Sequence, residues 1–218
     1  GSAAFCGGCH QFNFPEHRSD GRLAFTSEPM QDTLEEWRRH GGDKTCQGCH
    51  MARGGHRFLG GYDRQTLGEA VAVTPRLRET GDGAALELGL RVLAGHAVPT
   101  GDLFRSLVVT ATLVDGRGRA VGAAEPLVLT RRFVDVAERG EDGREHLVRR
   151  QALDGRLQPG EAREVALALP RVKGAVRVRY RLALHRLPPG VPPSKDIISV
   201  LAEGALPLSV GTLQGTRI

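Results

Sequence analysis

Two cysteine pairs of identical spacing, each followed directly by a histidine, constrain this chain more than any other feature: "FCGGCH" at 5–10 and "TCQGCH" at 45–50. Both lie in residues 1–66, which hold all four Cys, five of the eight His, the only Trp and both Met. Hydrophobic periodicity is poor there. One convincing helix lies within "TSEPMQDTLEEWRRHGG": Asp32 can cap it, Glu35 and Glu36 occupy the first turn, Arg38 and Arg39 lie near its end, and Gly41-Gly42 stop it. A segment this short and weakly apolar buries little surface on its own, so it needs a staple, a metal or a cofactor to hold a fold.

The spacing discriminates among four chemistries. A zinc site built from two C-x-x-C pairs ordinarily separates them by about 15–20 residues, whereas 36 residues lie between Cys9 and Cys46. Zinc also gives no reason for a His after each pair. A redox dithiol would sit at a strand-to-helix junction of an α/β pattern, which is missing. Structural disulfides do not need the His either. Covalent haem accounts for every residue: Cys6 and Cys9, then Cys46 and Cys49, add to the vinyl groups of one porphyrin each, and His10 and His50 follow as proximal iron ligands. Two haem c groups would also supply the apolar bulk that the segment lacks. Phe5 and Phe12 would pack on porphyrin, as would Trp37.

From residue 67 the pattern changes. "EAVAVTPRLRET", "AALELGLRVLAG", "RSLVVTATLVDGRGRAVG", "EPLVLTRRFVDVA", "REVALALP" and "AVRVRYRLALHRL" alternate apolar and polar residues over strand lengths, with turn signals between them. The expected fold is α+β, mainly β. A small haem-dependent c-type cytochrome segment with few helices (1–66) precedes an antiparallel immunoglobulin-like β-sandwich (67–218). "SVLAEGALPLSVGTLQ" adds a helical turn or an edge strand.

Each iron also needs a distal ligand. His96 in "AGHAVPTGD" lies between two expected strands, on a loop stiffened by Pro99 and Gly101, where it can reach a docked haem. His56 in "GGHRFLGG" has glycines that let the backbone approach a flat ring. It lies six residues after His50, too few to wrap around that haem, so it points to the first one. His17 has the same wrapping problem with His10 and could serve only the second haem. His40 at the helix end and Met30 before it are further candidates. Met51 is held on the proximal side beside His50. His146 and His185 read as structural or exposed.

The segments "FCGGCH", "LEEW", "TCQGCHM", "GHRFLGG" and "GHAVPTGD", spanning roughly residues 5–105, resemble a family of multihaem c-type cytochromes that join a small haem-binding segment to a C-terminal β-rich domain. The resemblance implies export across the inner membrane and haem attachment there, with a periplasmic or extracellular location. It implies electron transfer as the role, and use of the His of the GH-x-x-PTG segment as a distal ligand. Beyond residue 105 the resemblance is one of domain type only.

The leading reading is a dihaem electron carrier with two low-spin, bis-His irons. A haem enzyme with one open iron, of the peroxidase or nitrogen-oxide reductase type, would need a distal acid/base, and no carboxylate pair or Lys–haem motif supports it. A third reading makes the β domain an assembly module of a larger cytochrome complex or homo-oligomer. Nucleophile signatures, a phosphate loop and a Rossmann fingerprint are absent. The net charge of +5 and pI of about 9.4 rest on Arg far more than Lys. They fit attraction to redox partners with acidic docking surfaces, and equally Arg scattered along exposed strand faces as in "VRVRYR". No nucleic-acid motif and no membrane-spanning run is present.

Overall fold

The computed structural model describes residues 2–17, 20–40, 44–51, 58–140, 143–188, 191 and 198–208. Helix α1 (Ala3–His10) leads into a hairpin of β1 (Gln11–His17) and β2 (Leu23–Asp32). Helices α2 (Thr33–His40), α3 (Cys46–His50) and α4 (Arg64–Ala70) follow. The remaining strands are β3 (Val71–Thr80), β4 (Gly83–Val92), β5 (Ser106–Asp115), β6 (Ala120–Ala123), β7 (Leu127–Leu129), β8 (Arg131–Arg139), β9 (Glu145–Asp154), β10 (Ala162–Pro170), β11 (Ala175–His185) and β12 (Ile198–Pro207).

One core holds the C-terminal part together. Strands β10, β4 and β3 form an antiparallel sheet, and β12, β11, β5 and β6 form another, with β7 also pairing β5. Alternation supplies the facing surfaces: Leu86, Leu88 and Leu90 of β4 are fully buried, as are Leu107 and Val109 of β5 and Leu182 of β11, in a single apolar cluster. The "DGRGR" turn joins β5 to β6 as its pattern predicts, with Asp115 Oδ1 accepting from the backbone of Arg117 and Arg119. Helix α4 plugs one end of this core with Leu67.

The expected fold, a few-helix cytochrome segment followed by an immunoglobulin-like sandwich, is not what forms. Strands dominate the described residues, in four separate sheets. The N-terminal part is itself partly β: β1 and β2 pair along their length. Register shifts at Phe12/Asn13 and Asn13/Pro15 break the alternation that would otherwise betray them, and Pro15 and Pro29 argue locally against strands. Strands β8 and β9 belong to neither large sheet; they form a two-stranded ribbon. Its residues are charged on both faces, so neither face can enter an apolar core. It lies instead on the N-terminal hairpin, where Phe14 meets Phe133 edge-on at 4.9 Å and Arg149 covers Phe14.

Leu182→Ala, at a fully buried position of β11, is expected to destabilise the protein by about 2–5 kcal/mol through lost transfer energy and the cavity it leaves. The fall in urea midpoint measures it; an unchanged midpoint would show that the two sheets do not share this core.

Candidate metal centre

Each cysteine motif forms a short helix. Ser2 Oγ caps α1 by accepting from Ala4 N, and Thr45 Oγ1 caps α3 by accepting from Gly48 N. On a helix, positions i, i+3 and i+4 share one side, so Cys6, Cys9 and His10 are gathered on one side of α1, and Cys46, Cys49 and His50 on one side of α3. Gly7 faces Leu34 of α2 so closely that a Cβ there would displace the Leu34 side chain. The two motifs abut: Gln47 Nε2 donates to Ser2 O and lies 3.6 Å from Cys6 Sγ. Burial pushes the Cys46 thiol above its usual range, and Cys6 beside it acts in the same direction. No disulfide joins any of the four cysteines.

His50 is brought to His96. Their ring centres are 6.1 Å apart and their planes within 9° of parallel. His50 Nδ1 bonds Leu59 O, and His96 Nδ1 bonds Ala97 O at 3.0 Å. A carbonyl oxygen only accepts, so each Nδ1 carries a proton, and in the neutral ring that leaves the Nε2 lone pair for a metal. Burial lowers the His96 pKa, against the opposing Ala97 carbonyl bond and Glu36 charge, and so favours the neutral imidazole. Two metal–nitrogen bonds of about 2.0 Å, plus roughly 1 Å from each nitrogen to its ring centre, sum to about 6 Å. The pair therefore has the spacing of two axial imidazoles across one metal ion.

The His96 loop is held by residues that local sequence patterns do not single out. Glu36 of α2 is 2% exposed and Arg156 6%. Arg156 Nη1 donates to Glu36 Oε1 at 2.5 Å, while Glu36 Oε2 accepts from Ala97 N (3.2 Å) and Thr100 Oγ1 (2.7 Å). The Thr100 hydroxyl proton is thereby used, so Thr33 Oγ1 donates to Thr100 Oγ1 at 2.8 Å. Val98 and Leu157 exchange two backbone hydrogen bonds. Arg156 also forks Asp154 through Nε and Nη2. Burial alone would raise the Asp154 pKa, but this fork holds the carboxyl below its usual range. Trp37 spans the same seam, donating from Nε1 to Lys44 O and lying against Gly95. In the sequence Glu36 reads only as a first-turn helix acid, and no local pattern singles out Arg156.

The other candidates are placed less tellingly. His10 is exposed at the end of α1, and His40 at the end of α2. Met30 is half-buried in β2, its carbonyl accepting from Arg131. His17 ends β1, and its side chain lies outside the described residues, as does the whole of His56. No group of three or more His, Cys, Asp or Glu side chains forms a metal cluster among the described residues. A ligand set of two imidazoles beside a thiol pair suits a metal already held in a macrocycle. Exposed apolar rings next to the motifs, Phe5 at 83% and also Phe58 and Tyr62, suit a flat apolar group as well.

No family model matches the chain, and no curated protein does. Among solved structures, a penta-haem cytochrome c552 from Thermochromatium tepidum superposes with a TM-score of 0.70 at 22% identity, over 95% of this chain. The chain spans 56% of that protein's length. The likeness is one of fold.

Glu36→Ala leaves the Arg156 guanidinium buried beside a lost partner, and breaking such a pair costs about 3–5 kcal/mol. Urea unfolding is expected to show a loss of that size. A midpoint within error of the wild type would remove the pair from the structural account.

Proposed function

We propose that this chain is an electron-transfer cytochrome with two covalently attached haem c groups. Cys6 and Cys9 hold one, with His10 as an iron ligand; Cys46 and Cys49 hold the other, with His50 and His96 as its two axial ligands. The observation that carries the reading is the parallel His50–His96 pair, 6.1 Å apart beside a C-x-x-C helix. For the first iron, His56 is the sequence candidate opposite His10. Residues 1–66 are in this reading the haem-bearing unit, and the β-rich remainder carries His96.

Bound haem would supply a one-electron redox centre whose potential bis-His ligation keeps lower than His/Met ligation would. The chain's own residues present two imidazoles, fix their orientation through Leu59 O and Ala97 O, and hold the His96 loop through Glu36 and Arg156. With both axial positions of the second iron taken by side chains, that iron offers no site for substrate, which favours a carrier over an enzyme. Covalent haem attachment points to an exported protein, periplasmic or on the outer surface. No helix among the described residues is long and apolar enough to cross a membrane. The net charge of +5 favours acidic surfaces on redox partners.

A pyridine haemochrome assay on the holoprotein is expected to give two haem c per chain, with a low-spin spectrum that cyanide and carbon monoxide leave unchanged. His96→Ala should turn one of the two irons high-spin. A protein without haem would sink the whole reading, and an unchanged His96→Ala spectrum would sink the ligand assignment.

A further inference from the structure

Arg186 lies just past the end of β11 and is 9% exposed, yet most of its hydrogen-bonding capacity is unused. Nη2 donates to Gly61 O and to Ser199 Oγ. Nε and Nη1 are buried and have no partner among the described residues. Those two nitrogens carry three of the five N–H donors of a guanidinium, a group that has no acceptor and stays charged. No carboxylate pairs with it among the described residues; its only charge-compensating contact is the Tyr62 ring, 3.8 Å from Cζ. Burial lowers the Arg186 pKa, with Tyr62 opposing and the like charge of Arg105 adding to the shift. A buried, unpaired guanidinium beside a second cation is costly unless an anion completes the site.

The position of Arg186 says which anion. Gly61 is two residues beyond Leu59, whose carbonyl holds His50. A Cβ at 61 would lie 2.9 Å from Leu184 Cδ2 and 3.6 Å from Arg186 Nε and Nη2, so the backbone here rests closely on the guanidinium. On the other side, Arg105 Nη1 donates to Thr100 O in the loop that carries His96. Arg186 and Arg105 are thus tied to the two segments that hold the paired imidazoles. We infer that Arg186, with Arg105 beside it, is the counter-ion of a propionate carboxylate of the haem held between His50 and His96. This rests on the haem reading above. An acceptor-only carboxylate matches a donor-only guanidinium, and charge-assisted bonds of this kind are the strong ones.

A cation at a porphyrin edge favours the reduced state, since reduction adds negative charge to the site. The test uses full-length holoprotein in three forms: wild type, Arg186→Met and Arg186→Lys, each checked for two low-spin haems. Arg186→Met is expected to lower one of the two midpoint potentials and leave the other in place. Both variants are expected to shift the propionate-bending band in resonance Raman spectra. If Arg186→Met does not fold, the Arg186→Lys band decides. Unchanged potentials and an unmoved band in folded, two-haem variants would overturn the assignment. So would wild-type potentials that follow added phosphate while the band ignores Arg186→Lys, since the ligand would then be a free anion. A wild type without haem overturns the underlying reading too, and is seen before any variant is made.

Discussion

The buried ion pair between Glu36 and Arg156 is the joint on which the arrangement depends. Glu36 comes from the helix between the two cysteine motifs, and Arg156 from the turn between β9 and β10. Their contact is made within the fold, and Glu36 spends its second oxygen on the loop carrying His96. Buried ion pairs contribute little net stability compared with apolar replacements, because desolvation offsets the attraction. Their effect here is geometric. With Arg156 on one oxygen and Ala97 N and Thr100 on the other, the loop has one position relative to α2 in which all partners are satisfied. The Val98–Leu157 bridge fixes the same loop from its far side.

That geometry explains how two short cysteine helices, with almost no apolar surface of their own, are presented in a defined way to the β-rich part. Helix α1 packs on α2 through Gly7 and Leu34, and α3 abuts α1 through Gln47. Helix α2 is then docked to the loop between β4 and β5. The ribbon of β8 and β9 closes the other flank, with Arg131 reaching the carbonyls of Pro29 and Met30. The result places His96, at the mouth of an apolar core, opposite His50, at the end of a cysteine helix. The loop after β4 carries one imidazole and a helix end the other, and a ring-nitrogen bond to a backbone carbonyl orients each.

The outline was legible wherever local patterns are strong. Helix α2 forms over Thr33–His40 between an acidic start and a basic end, as its charges require. Strands β3, β4, β5, β10 and β11 form where the alternation is clean. Three β elements escaped: β1 and β2, whose bulges and prolines break the period, and β9, whose "EHLVRRQALD" mixes charge into both faces. The immunoglobulin-like expectation failed because alternation reports that a strand has two unlike faces. It does not report which sheet the strand joins, and a ribbon lying on a neighbouring hairpin satisfies the same pattern.

The C-x-x-C-H spacing, by itself, determined that each cysteine pair and its histidine share a helix side, because one turn of backbone dictates it. The weak apolar content of residues 1–66 leads to the expectation that this segment draws its support from elsewhere. Only the tertiary structure decided that His50 and His96 face one another, that Glu36 and Arg156 hold the loop between them, and that Arg186 is buried with donors to spare. These are meetings of residues 46, 120 and 125 positions apart in the chain (50 to 96, 36 to 156, 61 to 186). No local propensity encodes such separations. They arise when two sheets close on a common core and carry their end loops to the same edge.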